Sequence, residues 1–144
     1  HLDFTKQAAK EYFDKKRFTK AKNDVSAFDL AILVQPDEKA APSDKKALQK
    51  FKEAGERHNF FVEFITKEDI NRLTEFDALF IRATTSVNHY TYKMARKAES
   101  EGLAVIDDPS SILKCANKVY LAELLKNAKI ATPKTMIIHS DNRK

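Results

Sequence analysis

The chain has 144 residues, 42% of them hydrophobic and 33% charged, with a formal net charge of +5 and a pI of about 9.2. That length suits one core, and the balance excludes a disordered or fibrous chain. The longest apolar runs, such as residues 30–34 and 60–62, fall far short of the roughly 20 residues of a membrane helix, and no signal-peptide pattern opens the chain. The lone Cys115 excludes an internal disulfide and a multi-cysteine metal site, and fits a reducing, cytoplasmic setting. His1 stands where an initiator Met would, so the expectation is a piece of a longer protein.

Residues 4–17 place Phe4, Ala8, Ala9, Tyr12 and Phe13 at helical spacing, and residues 18–26 are polar and unpatterned. Residues 1–26 therefore read as a helical extension or a junction with an upstream domain. Much of the basic excess lies here, in Lys6, Lys10, Lys15, Lys16, Arg17, Lys20 and Lys22. Such a segment can draw nucleic acid by counterion release. No aromatic-rich strand motif or zinc spacing accompanies it, and a solvated helix face is the plainer reading.

A repeating grammar begins at Phe28. Residues 28–34 are mostly apolar and stop before Pro36, the pattern of a strand buried on both faces. Ser43 and Asp44 start a helix with the face Leu48, Phe51 and Ala54, and Gly55 is expected to close it in the left-handed conformation. Residues 59–65 predict a second strand. Thr66 with Asp69 makes a capping-box start for a short helix holding Ile70 and Leu73. Residues 77–82 predict a third strand. Residues 88–101 predict a helix with Tyr92, Ala95 and Ala98 inward, closed by Gly102. Residues 103–106 predict a fourth strand, after which Asp108 caps a turn opened by Pro109. Asn117 opens the last helix, with Tyr120, Leu121, Leu124 and Leu125 as its face and Asn127 as its left-handed end. Residues 135–138 predict a final short strand. Strand and helix alternating through short loops imply a parallel sheet with right-handed crossovers, a three-layer Rossmann-like α/β sandwich over residues 27–139. Residues 140–144 then begin a linker.

The first strand's exit reads Gln35-Pro36-Asp37-Glu38-Lys39, without glycine. Side chains there keep a pyrophosphate from the backbone amides, and two carboxylates repel it, which argues against a self-sufficient dinucleotide site. No Walker loop, nucleophile elbow or histidine ligand spacing is present. Two places carry more chemistry. The third strand runs into Ile81-Arg82-Ala83-Thr84-Thr85-Ser86-Val87-Asn88-His89, a cation, hydroxyls, an amide and an imidazole where α/β sheets bind ligands. The competing reading has the hydroxyls and Asn88 only capping the next helix. The second place is Lys118, whose charge opposes the dipole at the start of the last helix unless an anion sits beside it.

The stretches from Phe76-Asp77-Ala78-Leu79-Phe80-Ile81-Arg82-Ala83-Thr84-Thr85 through Gly102-Leu103-Ala104-Val105-Ile106-Asp107-Asp108-Pro109 and Asn117-Lys118-Val119-Tyr120-Leu121 to Thr132-Pro133-Lys134-Thr135 resemble the pre-ATP-grasp region of RimK-like ligases. The closest subgroup carries an extra amino-terminal domain, and the likeness spans roughly residues 28–139. It implies a full-length enzyme that uses ATP and Mg2+ to phosphorylate a carboxylate, which an amine attacks to form an amide. Glutamate ligation to a protein or peptide is the best-known case. It further implies that Lys118 reaches ATP phosphates, that Arg82, Thr84, Thr85, Asn88 and His89 face substrate, and that an ATP-grasp core in cis supplies the metal ligands. No tightly bound cofactor and no catalytic residue is expected within these residues. Where the subgroup often has an acid, this chain has Ala83. Two other classes compete: a stand-alone α/β interaction module without catalysis, and a nucleic-acid binder using the basic first segment. The face meant for the core also allows a homo-oligomer.

Overall fold

The computed structural model describes residues 27–139. The helical extension expected over residues 1–26 and the linker at 140–144 lie outside the described residues. Strands β1 (Phe28–Leu33), β2 (Phe60–Ile65), β3 (Ala78–Ile81) and β4 (Ala104–Ile106) form one sheet in the order β2-β1-β3-β4, and every pairing is parallel. Between them come helix α1 (Lys45–Arg57), a 3₁₀ helix (Lys67–Glu75) and helix α2 (Tyr90–Ser100); α3 (Pro109–Ala116) and α4 (Lys118–Asn127) follow β4. The expected α/β class and parallel sheet are present.

Alternation along the strands sends successive side chains to opposite faces. Leu30, Phe60 and Val62 meet α1 at Gly55, and Phe51 of α1 packs edge-on against Phe80 with centroids 5.1 Å apart. The opposite face carries the main buried cluster. There Ala31, Leu33, Ile65, Leu79 and Ile81 of the strands meet Leu73 and Phe76, Met94, Ala95 and Ala98 of α2, and Ile112 of α3.

Helix starts follow the sequence closely. The Asp44 side chain accepts from Ala47 N–H, Asp108 from Ser111 N–H, and Asn117 from Val119 and Tyr120 N–H. Thr66 and Asp69 form the reciprocal capping box. Helix ends differ from expectation. Gly55 lies inside α1, which runs on to Arg57, and the left-handed residue is Asn59 at φ 64°. Asn127 ends α4 in helical conformation, and Lys129 takes the left-handed position at φ 56°. The reason is one of position. The left-handed residue stands two beyond the last helical one, as Gly102 does after α2, so that the next amides reach back to orphan carbonyls. Ile130 N–H donates to Leu125 O and Lys129 N–H to Lys126 O, both at 3.0 Å, as Leu103 and Gly102 do to Ala98 and Glu99.

Residues 135–138 form no strand, contrary to expectation. Met136 and Ile138 are 77% and 66% exposed, and β propensity without a face to bury does not hold a strand in place. The α4 face is also split: Leu121 and Leu125 are half-buried, while Tyr120 and Leu124 are 45% and 37% exposed.

Gly55 has a packing role rather than a turn role. A Cβ there would meet Val62 Cγ2 at 2.6 Å, closer than real contacts allow. Gly55→Ala gains helix propensity of about 1 kcal/mol but overpacks a buried valine, at about 1–3 kcal/mol. The expected net result is a loss of stability in urea unfolding, where an ordinary exposed helix glycine would show a gain.

Beside the sheet, Arg72 joins β2 to the 3₁₀ helix. It contacts Glu63 at 2.8 Å, Asp69 at 3.3 Å and Glu75 at 3.2 Å, and its cation lies 5.8 Å from the Phe76 ring centre. Burial works to raise the Asp69 carboxyl, but hydrogen bonds from Thr66 N–H, Arg72 and the Thr66 hydroxyl outweigh it and hold the pKa below the ordinary value. A depressed folded pKa means stability present above the unfolded value of about 3.9 and lost as pH falls through the folded one. Asp69→Asn is therefore expected to cost about 1 kcal/mol at neutral pH. The difference from wild type should shrink as denaturation is followed below about pH 4.

Candidate functional site at the β1–β3 switch point

The connection from β1 leads through α1 to β2 on one side, and the chain then crosses back to β3 on the other. The carboxyl ends of β1 and β3 thus flank the point where the winding reverses, the place where open parallel sheets hold ligands. Both ladders are closed there. Val34 N–H donates to Ile65 O at 2.9 Å and Arg82 N–H to Leu33 O at 2.8 Å.

The structure brings Arg82, Thr84, Thr85, Asn88 and His89 together in the one loop that leaves β3. Arg82 is half-buried and turned toward the start of α1. Its Nε and one terminal nitrogen donate to Ser43 Oγ at 2.9 and 2.6 Å, and the same terminal nitrogen donates to Pro42 O at 2.9 Å. Its cation lies 5.3 Å from the Phe80 ring centre and 5.5 Å from that of Phe51. Arg82 is thus a brace between β3 and α1. Ala83 is buried among core residues. Thr84 is exposed, and its N–H points to both oxygens of Glu38 at 3.3 Å. Thr85 is half-buried and Asn88 exposed.

Neither Asn88 nor a hydroxyl of the loop caps α2. The N-cap is His89, with no side-chain cap bond. Its Nδ1 instead lies 3.0 Å from the hydroxyl of fully buried Thr91, which donates to Thr84 O at 3.3 Å. Tyr90 OH donates to Gln35 Oε1 at 2.9 Å, a third tie between the two exit loops. Burial first, then the charges of Glu38 and Glu68, push the Tyr90 phenol above its ordinary pKa.

Sequence reasoning missed Gln35, Ser43 and Tyr90, and treated Glu38 only as a repulsive charge. Their partners lie 39 to 55 residues away, and no local pattern signals such pairs.

Lys118 belongs to a different place, the first residue of α4, which packs on α3. Its Nζ donates to Cys115 O at 3.0 Å, in the last turn of α3. The conflict with the α4 dipole is thereby relieved within the chain, since cations are favoured at a helix carboxyl end. Asp108 is engaged as a cap, and its bonds from the Ser111 hydroxyl and N–H hold its pKa low. Among the described residues no group of three His, Cys, Asp or Glu side chains could hold a metal ion.

No family model matches this chain, and no curated protein matches it either.

The Arg82 brace depends on its fork and its plane. A lysine cannot span Ser43 and Pro42 O while stacking on two rings. Arg82→Lys is expected to lower stability by about 1–2 kcal/mol, with an unchanged slope in urea unfolding.

Proposed function

We propose that residues 27–139 are the pre-ATP-grasp α/β domain of an ATP-dependent carboxylate–amine ligase of the RimK-like type, a Rossmann-like three-layer unit that presents substrate-facing groups. The observation that carries this reading is the strand order. It sets residues 82–89, part of the stretch that bears the resemblance, at the switch point of a doubly wound sheet. The same crevice has no glycine cradle and no metal-binding cluster among the described residues. In this reading the domain positions a substrate, and the nucleotide and Mg2+ are held by residues elsewhere in the polypeptide.

In this reading Thr84, Thr85, Asn88 and His89 face the acceptor, and Arg82 holds their loop against α1. Ala83 is packed into the core and takes no acid role. Lys118 reaches a phosphate only by giving up its bond to Cys115 O. The substrates are a carboxylate and an amine, joined as an amide.

A second reading, an interaction module without catalysis, is favoured by the apolar surface that α4 leaves uncovered in Val119, Tyr120 and Leu124.

Calorimetric titration of the chain with MgATP is expected to show no saturation below about 1 mM. A micromolar dissociation constant, about −8 kcal/mol, would overturn the assignment of the nucleotide site to other residues. The reading frame beyond the codon for Lys144 tests the ligase class. A continuation of roughly 150–200 residues with late Asp, Glu and Asn metal ligands supports it. A stop codon there leaves the interaction module.

A further inference from the structure

We propose that Glu38 is a built-in plug of the β1–β3 crevice, its carboxylate occupying the Thr84 amide that a ligand's carboxylate would take. Thr84 lies in the loop three residues past the end of β3 and is exposed, and its N–H is the loop amide that meets a carboxylate at the switch point. Both oxygens of Glu38 stand 3.3 Å from that nitrogen. The reach of Glu38 is set by its own turn, in which Glu38 N–H donates to Gln35 O at 3.2 Å. On either side of the contact the exit loops are tied together, by Tyr90 OH to Gln35 and by Arg82 to Pro42 O and Ser43. The fold thus delivers this carboxylate to this amide.

An amide N–H that donates to a carboxylate of its own chain can donate to a ligand's carboxylate in the same way. The ligand class is a small carboxylate. Charge-assisted N–H···O bonds run about 2.7–2.9 Å, so the shared 3.3 Å contact is a weak one that a better-placed carboxylate displaces. Glu38 opposes such a ligand in two ways, by filling the donor and by its charge. The inference concerns the crevice of the reading above but does not need its chemistry. The ligase reading stands on the nucleotide titration and the reading frame, whereas the plug stands on one amide.

The test titrates the full chain with sodium acetate at constant ionic strength, following the Thr84 amide by NMR. Glu38→Ala is expected to shift Thr84 saturably, with a dissociation constant about tenfold below that of wild type. Asp37→Ala removes the same charge from the same loop without touching the contact, and should stay within about twofold of wild type. Equal affinities for Glu38→Ala and wild type overturn the proposal, as does an unmoved Thr84 in Glu38→Ala. An equal gain in Asp37→Ala reduces the effect to net charge and overturns it too. Methylammonium chloride should leave Thr84 in place, and a response to it larger than that to acetate would mark the crevice as a cation site instead.

Discussion

Pairing of β1 on both sides is the constraint from which the rest of the structure follows. Leu30 to Leu33 each have a parallel partner in β2 and another in β3, so β1 has no free edge over that stretch. At the amino end Asp77 N–H donates to Asp29 O at 2.9 Å, and Asp29 N–H donates back to the Asp77 carboxylate at 2.7 Å. At the carboxyl end the bonds from Val34 and Arg82 close both ladders. Because all three strands run the same way, their exits lie on one edge of the sheet. Winding outward to β2 and back to β3 then leaves the two inner exits side by side with no crossover helix between them.

Two arginines show how differently one side chain serves that frame. Arg72 contacts three carboxylates, from Glu63, Asp69 and Glu75, so its charge is cancelled locally and its bonds to Glu63 are the first cause that its pKa is driven further up. It fixes the 3₁₀ helix to β2 and projects little field. Arg82 donates from Nε and one terminal nitrogen to a hydroxyl and a carbonyl, which hold it without neutralising it. Its positive charge therefore persists beside the β1 exit, where the Glu38 carboxylate meets the Thr84 amide. Stacking on Phe51 and Phe80 shields the guanidinium without cancelling its charge, and an apolar sheet face tolerates it because the planar cation is weakly hydrated.

Much of the fold was legible from residue types alone. Apolar runs gave all four strands of the sheet to within about two residues, the usual uncertainty at element ends. Asp44, Thr66, Asp108 and Asn117 marked helix starts because an N-cap is a local event, one side chain meeting amides two or three residues on. Ends were read less well. Gly55 looks like a terminator by type, yet it serves a close approach to Val62, a contact visible only once β2 lies beside α1. At residues 135–138 local propensity had no partner to act on. In the crevice, the loop from Arg82 to His89 could be placed because strand ends are set by the pattern. The ties to Gln35, Glu38 and Ser43 could not, since they arise from the strand order and not from spacing.

Lys118 shows where a local electrostatic argument reaches its limit. A cation in the first turn of a helix is unfavourable by a few tenths of a kcal/mol, and a bound phosphate would offset that. The same relief comes from the carboxyl end of α3, which stops one residue before α4 begins and offers the Cys115 carbonyl at 3.0 Å. Where two helices abut, one lysine answers the negative end of the first while Asn117 answers the bare amides of the second. The placement is therefore self-consistent without a ligand. A role for Lys118 toward phosphate must rest on the resemblance, while the chemistry the geometry itself supports lies at the β1 and β3 exits.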